Sequence, residues 1–289
     1  MSKTVPIISG EALQAHTFRL LSLSLDQVAY NLDNLALHRH DCFEIFLVTG
    51  GYGQIQIDFQ KYSFSPHTLS LISPGQIHGW VESESDEPLS GFLLIFSKDM
   101  LAANKIDNVD WPLTSFFQFM GENPFYNLNS DQVAVVRDLF RLLEREQAME
   151  LQDREAAVGH YLQLLLIEIG RINDRWQQTH REEAGFRLTK QYLTAVESHF
   201  QTVNSISDYA SMLHVTANHL IESVKKTLGK SAGEVLRERQ LLEAKRLLRY
   251  STASVDEIAH QLNYRDPSYF GRFFKKNVGV SPTVFRKQG

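Results

Sequence analysis

A pattern that occurs twice constrains this chain more than any other feature. Residues 255–287 read VDEIAHQLNYRDPSYFGRFFKKNVGVSPTVFRK. Val255, Ile258, Ala259 and Leu262 fall at helical spacing. The pattern stops at Asn263-Tyr264-Arg265-Asp266, and Pro267 suits the first position of a second helix, where no backbone N–H is needed. The spacing therefore predicts helix, tight turn, helix, the second helix running from about Pro267 to Asn277 with Phe270, Phe273 and Phe274 toward a core. Upstream, SISDYASMLHVTANHLIESVKKTLGKSAGEVLRER repeats the arrangement. Ala210 and Leu213 recur 49 residues later as Ala259 and Leu262, whereas Lys225, Lys226, Gly229 and Ser231 recur 50 residues later as Lys275, Lys276, Gly279 and Ser281. The slip of one residue falls in the turn, so one supersecondary unit is used twice. Between the copies a charged helix is expected over roughly Gly233 to Arg249, with Leu241, Ala244 and Leu248 on one stripe. At 1.5 Å per residue it spans about 25 Å.

The second helix of the later copy presents Ser268, Tyr269, Arg272, Lys275 and Lys276, a polar and basic face. Such a helix suits the major groove of DNA: the groove admits a helix, arginine pairs with a guanine edge, and lysines neutralise phosphates. One basic face alone is equally well explained as a solvated surface, and the duplication is what favours the groove. Charge points the same way. Residues 186–289 hold 16 Lys+Arg against 9 Asp+Glu, and residues 1–185 hold 13 against 25, so a net charge of −5 hides a basic third on an acidic body.

This tandem of some 100 residues resembles the DNA-binding domain of AraC-type transcription regulators, most closely from Val255 through SYFGRFFKK to Gly279, Ser281-Pro282 and Phe285-Arg286. The resemblance implies that one helix of each copy enters the major groove. It puts Asn218 and Glu222 of the first copy, and Ser268, Tyr269 and Arg272 of the second, at positions of base or backbone contact, with Lys225, Lys226, Lys275 and Lys276 closing the helices nearby. Glu222 stands where the family commonly has arginine. Glutamate accepts from cytosine but is repelled by phosphate, so a weaker first copy, a different base, or loss of DNA affinity are the alternatives. Tyr269 also suits packing, and the closing lysines also complement the helix dipole.

Residues from about Phe18 to Phe96 read as short strands: CFEIFLVTG and GYGQIQIDF alternate, TLSLISPGQIHGW and SGFLLIF follow, and turn signals stand at Gly50-Gly51, Ser65-Pro66 and Pro74-Gly75. Strands at this spacing argue for a small barrel or jelly roll able to close over one small ligand. His38, His40, Cys42 and Glu44 share parity, so an extended strand turns all four to one face, and His78 follows 34 residues after Glu44. Three imidazoles and a carboxylate suit a divalent transition metal. HRHDCFEIFLVTGGYG with SPGQIHGW resembles the cupin-type sensor domain of AraC-type regulators. That resemblance implies a small-molecule effector in the barrel, met by His38, His40, Glu44, His78 and Trp80, with no metal, no cofactor and no catalytic residue. The alternative is a metal-dependent cupin enzyme fused to a DNA-targeting helical domain.

Beyond the strands, SKDML opens a short helix, and Trp111-Pro112 with Phe116, Phe117 and Phe119 suggests helix and loop packed on the barrel. Asn129 or Ser130 then caps a helix over Asp131 to Met149 with Val133, Val136, Leu139, Phe140 and Leu143 on its stripe. Another follows over Arg154 to Trp176 with Val158, Tyr161, Leu162, Leu165, Ile169 and Ile172, leaving Leu164, Leu166 and Ile167 as an apolar surplus. The resemblance implies that this pair forms a homodimer, with RNA polymerase as a further partner. The expected class is α+β, with a cupin-like effector domain over residues 1–128, a helical dimerisation region over 129–178, a linker over 179–188 and the all-α tandem over 189–289. Cys42 is the only cysteine, no apolar run approaches membrane-spanning length, and MSKTVPIISG lacks a signal-peptide core, so a reducing, cytoplasmic setting is expected.

Overall fold

The computed structural model describes residues 18–23, 37–81, 87–104, 106, 124–149, 152–172 and 184–288. The chain divides into two compact units, one within Pro6–Gln177 and the other within Gln178–Gly289.

The first unit carries strands β1 (Phe18–Leu23), β2 (Phe43–Gly50), β3 (Gly53–Ile57), β4 (Gln60–Phe64), β5 (Thr68–Ile72), β6 (His78–Val81), β7 (Ser90–Phe96) and β8 (Phe125–Asn127). They form a five-stranded antiparallel sheet in the order β1-β7-β2-β5-β8 and a three-stranded sheet in the order β4-β3-β6. Parity decides what each strand buries. On the inner face Phe46, Val48 and Ile72 meet Ile55, Ile57 and Phe64 of the smaller sheet. On the outer face Phe43, Ile45, Leu47, Leu69, Leu71, Leu94 and Phe96 join a second core with the helices that follow. Strand β2 is consequently buried on both sides along Phe43–Val48, whereas an alternating strand ordinarily leaves one face to water. The helices account for the difference: with both faces covered, nothing selects polar residues for the outer one.

Helix α1 (Lys98–Ala103) starts at Ser97, whose hydroxyl accepts from the Met100 N–H. Helix α2 (Ser130–Ala148) is capped by Asn129, with the Gln132 side chain reaching back to complete a capping box. Its stripe of Val133, Val136, Leu139, Phe140 and Leu143 is buried, as its spacing predicts, and Gln147 hydrogen-bonds both the N–H and the carbonyl of Leu20, at 2.7 and 2.8 Å, fastening β1. Helix α3 (Arg154–Ile172) buries Val158, Leu162, Leu165 and Ile169 against it, and Leu166 as well. The apolar surplus is therefore smaller than expected: Leu166 belongs to the core, Ile167 is half-buried and Leu164 is exposed. Residues 173–176 of the expected helix, and the run from Trp111 to Phe119, lie outside the described residues.

The second unit is all helix: α4 (Ala184–His199), α5 (Ile206–Met212), α6 (Ala217–Leu228), α7 (Ala232–Tyr250), α8 (Val255–Gln261), α9 (Pro267–Val278) and α10 (Pro282–Lys287). Helix α4 begins inside the stretch 179–188 expected to be linker. Leu188, Tyr192, Val196 and Phe200, four residues apart and all buried, supply the stripe that makes it a helix, and the Tyr192 hydroxyl donates to the Ala232 carbonyl at 2.7 Å. The duplication is visible in the backbone. Both turns hold a residue in the left-handed region, His214 (φ 55°) and Asn263 (φ 59°), 49 positions apart. Both second helices end on a left-handed glycine, Gly229 and Gly279, whose N–H groups donate to the Lys225 and Lys275 carbonyls. Thr216 caps α6 and Asp266 caps α9, now 50 apart, so the extra residue sits between them in the second turn.

Helix α7 departs from a simple charged rod. Leu236, Ala244 and Leu248 are buried and Leu241 only borders the core, while Arg239, Gln240, Glu243 and Arg246 are buried too. The Arg239 guanidinium forks onto Glu197, its Nε to Oε2 at 2.7 Å and its Nη2 to Oε1 at 3.0 Å, and reaches Glu243 at 3.2 Å. Arg246 approaches the same Glu243 oxygen at 3.3 Å. Gln240 donates to the Phe200 carbonyl and to Asn204, and accepts from Tyr264 at 3.3 Å. Asn204 donates to the Asn263 carbonyl at 3.0 Å and Asn263 to the Thr202 carbonyl at 2.7 Å, which ties the loop after α4 to the second turn.

Candidate functional site

The helix pair comes first. Phe270 and Phe274 anchor α9 in the core and Phe273 is half-buried, which turns Ser268, Tyr269, Arg272, Lys275 and Lys276 outward, all exposed. Arg272 lies 3.7 Å from Asp266, with side chains 70% and 58% exposed, and 6.0 Å from the centre of the Tyr269 ring. A pair that open to water holds its partners weakly, so the guanidinium is free to re-aim. On α6, Leu220, Ser223 and Val224 face inward and leave Asn218, Glu222, Lys225 and Lys226 exposed. Glu222 occupies the place of Arg272 fifty residues on. Two exposed residues of α6 escape the motif reading: His219, in register with Tyr269, and Ile221. The repeat offset alone was the signal for His219.

The second constellation lies in the first unit. His38 and His78 form an isolated bridge, each N–H donating to the other's carbonyl at 2.9 Å, which brings the 37–40 segment to the start of β6. Their ring centres are 4.3 Å apart, and the His40 ring is 4.9 Å from His78. Glu44 points between them from β2, its Oε1 2.7 Å from His40 Nε2 and its Oε2 3.3 Å from His78 Nε2. One donor atom from each of His38, His40, Glu44 and His78 falls within 4.8 Å of all the others. His40, Glu44 and His78 are buried and His38 is half-buried.

Burial alone would push the Glu44 carboxyl up, but the facing His78 and the hydrogen bond from His40 outweigh it and hold it well below the usual carboxylate range. The converse holds for His78: burial disfavours its charge, and Glu44 opposite raises its affinity for a proton above the ordinary imidazole value.

Cys42 does not join the four. The chain bends at Asp41 and Cys42 before β2 begins, so the shared parity is broken, and Cys42 is buried with its sulfur 3.7 Å from Asp41. Burial, then Asp41, pushes its thiol up to about 12, leaving it an inert apolar group. Trp80 stands two residues beyond His78 in the aromatic cluster of the inner face, 5.4 Å from Phe46 and 5.1 Å from Phe64 between ring centres.

Comparison with known proteins matches residues 209–288 to a helix-turn-helix domain and residues 25–165 to the AraC-like ligand binding domain. The chain belongs to the AraC family of transcription regulators. An AraC-type chain of this layout is a DNA-binding transcription regulator with a ligand-binding N-terminal domain. The HTH-type transcriptional activator RhaR of Pectobacterium carotovorum is 25% identical over 97% of this chain and 97% of its own length. The HTH-type transcriptional activator Btr of Bacillus subtilis is 39% identical over 80% of this chain and 42% of its own. The solved structure of ToxT from Vibrio cholerae overlays 94% of this chain at 14% identity with a TM-score of 0.40, too low to carry positions across. These AraC-type relatives are regulators and not enzymes, which removes the reading of a metal-dependent enzyme with a fused DNA-targeting domain. No helix among the described residues is long and apolar enough to cross a membrane.

Proposed function

We propose that the regulator reads its DNA site with the exposed faces of α6 and α9, Asn218 and Glu222 on one, Ser268, Tyr269 and Arg272 on the other, while Lys225, Lys226, Lys275 and Lys276 hold phosphates. The observation that carries this is the pair of outward, basic-ended helices fixed in one repeated backbone frame. A small-molecule effector is seated in the N-terminal unit near His38, His40, Glu44, His78 and Trp80. It acts by binding two arrangements of the protein unequally, since equal affinity shifts nothing. The helical pair within 129–178 joins two copies; the outward Leu164, 47% exposed, and Val135, 47% exposed, support that reading. RNA polymerase is a further partner, and the cytoplasm is the setting in which DNA and effector are met.

The test is a competition assay between operator and scrambled duplexes. Arg272→Ala is expected to cost about 1–3 kcal/mol on the operator and to relax preference at one position, because a guanidinium that reads a base edge loses that discrimination. Lys275→Ala is expected to weaken both duplexes alike and to flatten the salt dependence by about one counterion. Identical behaviour of the two substitutions on both duplexes would contradict the division of labour. Light scattering on the wild type and on Leu164→Lys reports the dimer: a monomeric wild type, or a variant still dimeric, would remove α3 from the interface.

A further inference from the structure

Two rings in the first unit are wired so that their inner nitrogens face one point. His78 Nδ1 lies 3.1 Å from the Gln76 carbonyl, an acceptor that fixes the proton on that nitrogen and leaves the Nε2 lone pair directed inward. That Nε2 sits 3.3 Å from a Glu44 oxygen but out of line for a hydrogen bond, and it has no hydrogen-bond partner in a residue 2% exposed. With His78 neutral, two lone pairs confront each other in a buried place, an arrangement that costs free energy unless a proton or a metal cation stands between them. His40 is held in the same way, its Nδ1 3.1 Å from the Cys42 carbonyl and its Nε2 2.7 Å from Glu44. Its Nδ1 also lies 3.3 Å from the Cys42 N–H, so the other tautomer is satisfied as well, and His78 is the residue that demands the cation.

We propose that His38, His40, Glu44 and His78 hold a divalent first-row transition metal ion. The donor set decides the class. Three imidazoles and one carboxylate favour ions of the cobalt, nickel and zinc kind over magnesium and calcium, which take oxygen, and no thiolate converges to select copper(I). The dimensions agree. Bonds of about 2.0–2.2 Å to one ion place donors up to about 4.3 Å apart, so a set already within 4.8 Å closes on an ion with a shift of about half an ångström. The His38 segment is fastened by its bridge to β6 and by the Gly75 N–H donating to the His40 carbonyl at 2.7 Å, and the ion would clamp it further. The site narrows the effector seat proposed above and rests on that assignment, since the ion takes the convergent donors and leaves a small molecule the half-buried edge of His38 and Trp80.

The untagged full-length chain, stripped with a chelator, is titrated with Co²⁺ and then Zn²⁺. One Co²⁺ per chain, with visible ligand-field absorption that Zn²⁺ abolishes and excess Mg²⁺ does not, is the expected result. His78→Ala and Glu44→Gln should each weaken binding on the order of tenfold or more. A wild-type chain that takes up no Co²⁺ overturns the proposal whatever the variants do, as do two folded variants that bind like the wild type. The operator competition assay on the same samples reports the DNA reading separately: an intact operator preference with no metal uptake leaves the regulator standing and removes the ion alone.

Discussion

Arg239→Ala should lower the stability of the C-terminal unit by about 3–5 kcal/mol, the loss expected when one member of a buried ionic network is removed and its partners stay behind. The guanidinium serves two carboxylates at once, Glu197 in a fork and Glu243 at 3.2 Å, and it lies 3.7 Å over the Phe200 ring. Alanine takes one guanidinium contact from Glu243, takes the fork from Glu197 and opens the space above the ring. Denaturant unfolding followed by far-ultraviolet circular dichroism measures the loss. A change below about 1 kcal/mol would mean that water reaches both carboxylates and that the network is a surface feature. Arg239→Lys keeps the charge but cannot fork, so it should fall between the two.

The second large effect is expected at Phe270. Its side chain is fully buried, with ring centres 5.3 Å from Tyr264 and 6.0 Å from Phe274. Phe270→Ala removes that packing and leaves a cavity, at a cost of about 3–5 kcal/mol. Because Phe270 sets which side of α9 faces outward, operator preference should fall with stability. Tyr269→Ala is the matched control. Tyr269 itself is 56% exposed, so melting should move little while preference among duplexes changes. If Tyr269→Ala destabilised the fold as much as Phe270→Ala, the face assigned to DNA would be a packing face.

The duplication was readable because everything that makes it is local: a turn, a capping side chain and a terminal glycine all act within a few residues. Helix α4 was missed for the opposite reason. It follows a polar stretch with no start signal, and only the four-residue spacing of Leu188, Tyr192, Val196 and Phe200 betrays it. The buried charges of α7 could not be read either, since Arg239 finds Glu197 some 42 residues away and a charged side chain in sequence looks solvated until its partner arrives. The histidine set lies between these cases. The sequence grouping of His38, His40 and Glu44 matches their convergence, although the bend before β2 breaks the shared parity and turns Cys42 away; the arrival of His78 depends on a bridge that no local pattern announces. The same holds for the sheet order, in which β7 separates β1 from β2.

The link from Asn204 and Gln240 to Asn263 and Tyr264 has a consequence for the nucleic acid. Four side chains stitch the loop before α5 to the turn before α9, which holds the two helices proposed to read DNA at one distance and tilt. A duplex served by both must then offer its two segments at an unchanging helical phase. Inserting about five base pairs between them would rotate one segment to the opposite side of the double helix, beyond what a stitched pair could follow.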